Sequence, residues 1–276
     1  MPQPPKRTTL PSNPAPAQVG KKIAFGQIPE SKGHRILLYG TGGIGKSTLS
    51  CMAPGPIAFI DADESLGILK SQLKESGIEL PKVVSVHDWD SLRAAIQSDG
   101  WDSIKTIAID TVTMVEQWTS EWVIKNVPHE KGAQVKIKRI EDYGFGKGFQ
   151  HIYDTFLKLL ADLERHNRAG RNVILIAHEC TSTVPNPRGE DYLRYEPRLQ
   201  NPGSGKGSIR HKLKEWADHV LFLGYDVVVD DKGIAQGQGT RTLYSAELPF
   251  CMAKSRTTNE QFDIVLGESP WGNIIK

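Results

Sequence analysis

Between residues 40 and 48 the chain reads Gly40-Thr41-Gly42-Gly43-Ile44-Gly45-Lys46-Ser47-Thr48. No other stretch restricts the fold so strongly. Its four glycines let the backbone curl so that several N–H groups point into one cavity. Arg35-Ile36-Leu37-Leu38-Tyr39 before it reads as a short buried strand, and Lys46 to Met52 after it opens a helix. Strand, glycine-rich turn and helix, with the spacing G-x-x-x-x-G-K-[ST], make a phosphate-binding loop. The helix start adds further unpaired N–H donors and a partial positive charge. Lys46 is then the point charge for the β- and γ-phosphates, and the Ser47 hydroxyl a ligand for Mg²⁺. ATP and Mg²⁺ are the cofactors this loop implies.

The length of 276 residues suits one large α/β domain with extensions, or two small ones, and 38% apolar residues suffice for a sizeable core. The formal charge of +2 gives no overall basic character, so any nucleic-acid contact has to come from local clusters. Cys51, Cys180 and Cys251 are too scattered for a ligand set or a disulfide framework, which fits a reducing, cytoplasmic compartment. The N-terminus lacks the apolar core of a signal peptide, and no apolar run is long enough to span a bilayer, so no membrane partner is expected.

Along the chain, residues 1–20 carry six prolines and read as a disordered tail, leaving residues 21–276 as a single ATPase domain. Lys22 to Ile28 is a peripheral strand candidate. Core strands are expected at Ile57–Ile60, Val83–Val86, Ile104–Asp110 and Asn172–Ala177. Helices are expected over Leu66 to Lys74, after a cap at Asp90, over Val112 to Val127, and over Phe149 to His166. In the last, Phe149, Ile152, Tyr153, Phe156, Leu159, Leu160 and Leu163 form the apolar stripe. Glu179 to Ser208 reads as a long loop. Leu213 to Ala217 is a short helical piece, and strands follow at Val220–Leu223, Tyr225–Val229, Arg241–Tyr244, Pro249–Ala253 and Phe262–Leu266. The rhythm predicts an α/β fold: a mostly parallel sheet flanked by helices, with antiparallel strands towards the C-terminus.

Open α/β sheets place ligands at the C-terminal ends of their strands. Asp110 ends one strand and is the candidate Mg²⁺ carboxylate. Asp61, Asp63 and Glu64 end another. Asp63 or Glu64 is the candidate to position the attacking water, and Asp61 orients them or assists Mg²⁺. His178 ends a third, where it can contact the γ-phosphate or the water and report hydrolysis to the loop after it.

Four separated segments resemble the ATPase core of RecA-type recombinases, and most of all the small, core-only ATPases of that superfamily encoded by bacteriophages. They are the phosphate loop; Phe59-Ile60-Asp61-Ala62-Asp63-Glu64; Ile109-Asp110-Thr111-Val112; and Met252-Ala253-Lys254-Ser255-Arg256 with Phe262 to Glu268. The resemblance spans roughly residues 33 to 268. It implies a RecA-like P-loop fold and a catalytic carboxylate at Asp63 or its neighbour Glu64. It also implies that Lys254 and Arg256 reach a neighbouring subunit's ATP, which requires a homo-oligomer.

The resemblance further implies two loops that bind single-stranded DNA. The first maps onto Lys138, Arg139, Tyr143, Phe145 and Lys147. The second maps onto the region after His178, with Arg188, Tyr192, Arg194, Tyr195, Arg198, Lys206 and Arg210. Between residues 188 and 214 seven Lys or Arg face three Asp or Glu, and tyrosines among them can stack bases without reading sequence. The leading expectation is a DNA-stimulated, Mg²⁺-dependent ATPase that supports recombination or strand annealing, in contact with single-strand-binding or replication proteins. The alternative is a P-loop ATPase acting as a DNA-linked loader, remodeller or helicase-like motor.

Overall fold

The computed structural model describes residues 26, 32–203, 207–265 and 267–276. The chain divides into two units, Met1–Ser31 and Lys32–Lys276, and the second carries every element below. The expected tail over residues 1–20 lies outside the described residues. So do Lys206, Leu266 and, apart from Gly26, the strand expected over Lys22 to Ile28.

Six strands lie parallel in the spatial order β3 (Lys82–Val84), β2 (Ile57–Asp61), β4 (Thr106–Asp110), β5 (Asn172–Val184), β1 (Arg35–Gly40) and β7 (His219–Val229). β8 (Ala235–Tyr244) and β9 (Gln261–Asp263) continue the sheet antiparallel beyond β7. This is the α/β architecture expected from the sequence, with its antiparallel strands towards the C-terminus, and it has the form of a RecA-like P-loop NTPase. The strand of Asp110 does not adjoin that of the phosphate loop, because β5 lies between them and pairs with both.

The parallel strands are apolar at successive positions because both faces of the sheet are covered. Side chains alternate sides along a strand. Leu37, Tyr39, Ile60, Ile109 and Leu175 pack under α3 (Trp89–Gln97), α4 (Val112–Asn126), α5 (Lys147–Arg168) and α6 (Ile209–Trp216). Ile36, Leu38, Phe59, Ala108 and Ile176 pack on the other side against α1 (Lys46–Ser50), α2 (Leu66–Glu75) and the C-terminal α7 (Trp271–Ile274). The long α5 follows the stripe read from the sequence, with Ile152, Phe156, Leu159, Leu160 and Leu163 buried. Each such side chain taken from water contributes roughly 2 kcal/mol.

Several local readings change. Asp88, not Asp90, caps α3: it accepts from Ser91 N–H at 2.8 Å while Ser91 Oγ accepts from its own N–H at 3.1 Å. Asp90 instead accepts from the Trp122 indole at 2.9 Å. The two strands expected over Val220–Val229 are one, β7, with a register shift between Tyr225 and Val227. Pro249–Ala253 forms no strand and makes only isolated bridges at Cys251. The long loop after His178 is largely a β-ribbon: β5 runs on to Val184 and pairs antiparallel with β6 (Tyr192–Pro197). Its residues alternate in exposure, the period of a strand.

Candidate nucleotide site

The C-terminal ends of β1, β2, β4 and β5 converge. Gly40 lies beside His178, and Asp61 beside Asp110. Above them a cavity of about 370 Å³ is bordered by the phosphate loop, Asp63, Asp110, Thr111, His178, Arg241, Ile264 and Val265.

The loop follows β1 with Gly43 at φ 75° and Gly45 at φ 107°, backbone conformations that glycine adopts without strain. Lys46 is buried, and its Nζ donates to the carbonyls of Gly40 at 2.9 Å and Thr41 at 2.8 Å. Burial holds its pKa below the usual lysine value, against the pull of Asp110, Glu179 and Asp63. Ser47 Oγ donates to Asp110 Oδ2 at 2.5 Å. Burial lifts the Asp110 carboxyl to about 6, and the Ser47 bond only partly offsets this. Asp110 is thus a desolvated carboxylate that accepts from the loop serine. Thr111, and not Asp110, caps α4 by accepting from Met114 N–H at 3.2 Å.

Asp63 and Glu64 part company. Asp63 lines the cavity, with Thr111 Oγ1 donating to it at 3.3 Å and His178 Nε2 lying 3.3 Å from Oδ2. Its N–H donates to the Asp110 carbonyl at 3.1 Å. Glu64 is exposed at φ 53° and does not border the cavity. Asp61 does not border the cavity; its carboxylate accepts from Ser65 N–H at 3.0 Å and Leu66 N–H at 2.8 Å, which tethers the start of α2.

This geometry has the parts of a P-loop NTPase, and a family model described as an AAA domain matches residues 32–257. The chain belongs to the AAA domain family. It is a P-loop ATPase of the AAA type. No curated protein matches this AAA domain. Among solved structures it is similar to a KaiC-like protein from the hyperthermophilic archaeon Pyrococcus horikoshii OT3, at 14% identity and a TM-score of 0.43, covering 84% of this chain and 85% of that one. It is also similar to the RadB recombinase, at 13% identity and a TM-score of 0.42, covering 78% and 80%. No helix among the described residues is long and apolar enough to cross a membrane.

The remaining candidates of this AAA domain fall in three places. Lys254 and Arg256 lie towards the edge formed by the N-terminal ends of the parallel strands. Lys254 Nζ donates to the Lys214 carbonyl at 2.5 Å, and Arg256 Nε lies 3.1 Å from Asp218, which is bonded to Arg35 at the start of β1. That edge is about 16 Å from Gly40 along β1.

In the first expected DNA segment, Lys138 and Arg139 are exposed and Phe145 stands wholly in solvent. Lys147 pairs with Glu130. Tyr143 is buried and packs the segment down, its hydroxyl donating to the carbonyls of Val123 at 3.0 Å and Val127 at 2.6 Å.

In the second segment Arg188 and Arg198 are exposed, Tyr192 is half-buried, and Tyr195 is partly exposed and stacks on Phe222. Arg194 and Arg210 are held by carboxylates. Both pair with the buried Glu196, Arg194 also meets Glu247, and Arg210 donates to Ser182 Oγ, so their charges hold the ribbon to α6. Segments far apart in sequence nevertheless converge. Lys138, Arg139, Phe149, Gln200, Asn201 and Pro202 border one cavity of about 670 Å³, with Glu116 in its wall. Burial lifts the Glu116 carboxyl to about 7, and it accepts from Gln200 N–H at 2.8 Å.

Two residues near the phosphate loop escaped the sequence reading. Glu179 is bonded to the Thr41 side chain, and burial raises its pKa. Arg241 Nη1 donates to the Ile44 carbonyl at 2.6 Å. Glu179 directly follows a polar strand end, which is a usable signal. Arg241 approaches across 197 residues of sequence, and nothing local marks it.

Proposed function

We propose that this AAA domain binds ATP with Mg²⁺, hydrolyses it, and couples turnover to single-stranded DNA in support of recombination or strand annealing, as in the bacteriophage core-only recombinases its motifs resemble. The observation that carries the nucleotide half is the 2.5 Å contact between Ser47 and Asp110 beside the buried Lys46. A serine oxygen and one desolvated carboxylate fit Mg²⁺, which takes few protein ligands and fills its octahedron with water and phosphate. This agrees with the absence, among the described residues, of any cluster of three His, Cys, Asp or Glu side chains that could hold a metal. When bound, Mg²⁺ neutralises charge on the phosphates. Asp63, fixed by Thr111 and facing His178, is the carboxylate placed to orient a water. Glu64, exposed and outside the cavity, is not.

The DNA half is supported by the convergence of Lys138 and Arg139 with Gln200–Pro202 on one cavity, and by the free ring of Phe145. β5 joins the halves, carrying His178 at the nucleotide cavity and running on into the ribbon. Lys254 and Arg256 turn to the Lys214 carbonyl and to Asp218, and neither borders the cavity of their own loop. Any part they take is therefore on a neighbouring copy, within an oligomer.

The test is ATP turnover with and without single-stranded DNA at low salt, in wild type and Lys46→Ala. Stimulation by single strands that Lys46→Ala abolishes supports the reading. Turnover indifferent to every DNA would remove the DNA half, and a response confined to duplex ends would favour a loader or motor.

A further inference from the structure

β8 runs antiparallel to β7, so its first half lies at the C-terminal end of the parallel strands, where the phosphate loop sits. Its register sets Arg241 opposite Tyr225, two residues beyond Leu223, the partner of Gly40. The pairing shifts just there, between Tyr225 and Val227, and such bulges re-aim side chains at sheet rims. Ile264 N–H donates to the Arg241 carbonyl at 2.8 Å and fixes the backbone. The side chain then crosses to the loop, where Nη1 donates to the Ile44 carbonyl at 2.6 Å. A Cβ on Gly45 would stand 2.6 Å from that nitrogen, so the loop glycine leaves room for the guanidinium.

A guanidinium carries five N–H donors, and the Ile44 carbonyl occupies one. Arg241 forms no ion pair among the described residues, although it borders the nucleotide cavity. Among the described residues the other partly or fully buried arginines, Arg35, Arg93, Arg171, Arg194 and Arg210, all have carboxylate partners. Cations away from bulk water are ordinarily matched by an anion.

We propose that Arg241 grips a phosphate oxygen of the nucleotide held by its own chain's loop. The chain thereby supplies in cis a second cation beside Lys46. The planar fork can keep its bond to Ile44 while a second N–H meets phosphate, which an ammonium at the same place does less well. The inference rests on the ATP reading above and adds a residue to it.

The test is equilibrium titration of the full chain with Mg·ADP and Mg·ATP, comparing wild type, Lys46→Ala, Arg241→Ala and Arg241→Lys. Melting curves without nucleotide serve as the folding control. A hydrogen bond to a charged group predicts roughly ten- to a hundredfold weaker binding of both nucleotides by Arg241→Ala. Arg241→Lys should recover part of this, and the loss should be the same across a tenfold range of protein concentration. Should Arg241→Ala melt early, Arg241→Gln, which retains a donor for Ile44, replaces it in the same titration. Wild-type affinity in the variant overturns the inference and leaves the ATP reading standing. Full recovery on mixing Arg241→Ala with Lys46→Ala chains also overturns it, because the arginine would then act between copies. No binding by wild type would instead remove the ATP reading itself.

Discussion

Asp63 and Glu64 are adjacent acids with opposite surroundings, one facing His178 in the cavity and one in solvent. Asp63→Asn should lower ATP turnover by about a hundredfold or more while nucleotide affinity stays within a few fold, and Glu64→Gln should leave turnover near wild type. Steady-state kinetics on the two variants decide between them. Asp110 gives a pH signature. Its folded pKa of about 6 lies above the ordinary aspartate value of 3.8, so the nucleotide-free protein loses stability as pH rises between those values and carries the full deficit above 6. Asp110→Asn removes that deficit. It should stabilise the empty protein by on the order of 2 kcal/mol at pH 8, with the gain shrinking as pH falls towards 4. Melting temperatures of both proteins across that range measure it, and a gain independent of pH would contradict the assignment.

At the scale of elements, the weakest part of the site is α1, only five residues long, with Pro54 soon after it. The C-terminal segment supports it. Trp271 is buried and its indole donates to the Leu49 carbonyl at 2.8 Å, while Ser269 Oγ donates to the Met52 carbonyl at 3.0 Å. Trp271→Ala should cost about 3–5 kcal/mol and weaken nucleotide binding with it. Trp271→Phe, which keeps most of the packing, should cost about 1–2 kcal/mol. Denaturant unfolding checks both.

The phosphate loop was legible because its glycines, lysine and serine are consecutive and their geometry is local. Asp110 was legible because a carboxylate at the end of a buried apolar run has few other uses. The brace from Trp271 was not, since its partner is 222 residues away. The ribbon was missed because Pro185–Gly189 reads as loop, while the pairing of Thr181–Val184 with Tyr192–Tyr195 depends on a partner strand rather than on local pattern. Arg194 and Arg210 read as DNA contacts because sequence shows a basic cluster without showing Glu196 folded between them.

For the whole molecule, the two ends of the parallel strands carry different chemistry. The nucleotide cavity lies at one. At the other, His219 is fully buried, with Nε2 2.8 Å from His34 Nδ1 and Nδ1 2.8 Å from Ser255 Oγ. Burial first, and then His34, lower its pKa to about 4 from 6.5. The unfolded chain therefore binds more protons between those values, and stability falls as pH drops through that window, by up to roughly 3 kcal/mol. His219→Gln should flatten the slope of melting temperature against pH between 6.5 and 4, and an unchanged slope would assign the acid sensitivity elsewhere.

The most direct test of the central claim, that Lys46, Ser47 and Asp110 form one nucleotide–Mg²⁺ site, is calorimetric titration of the full chain with ATP, with and without Mg²⁺. Wild type should bind ATP more tightly when Mg²⁺ is present, Lys46→Ala should lose at least tenfold in affinity, and Asp110→Asn should bind with no gain from Mg²⁺. Wild type that fails to bind, or Asp110→Asn that keeps the full gain from Mg²⁺, would contradict it.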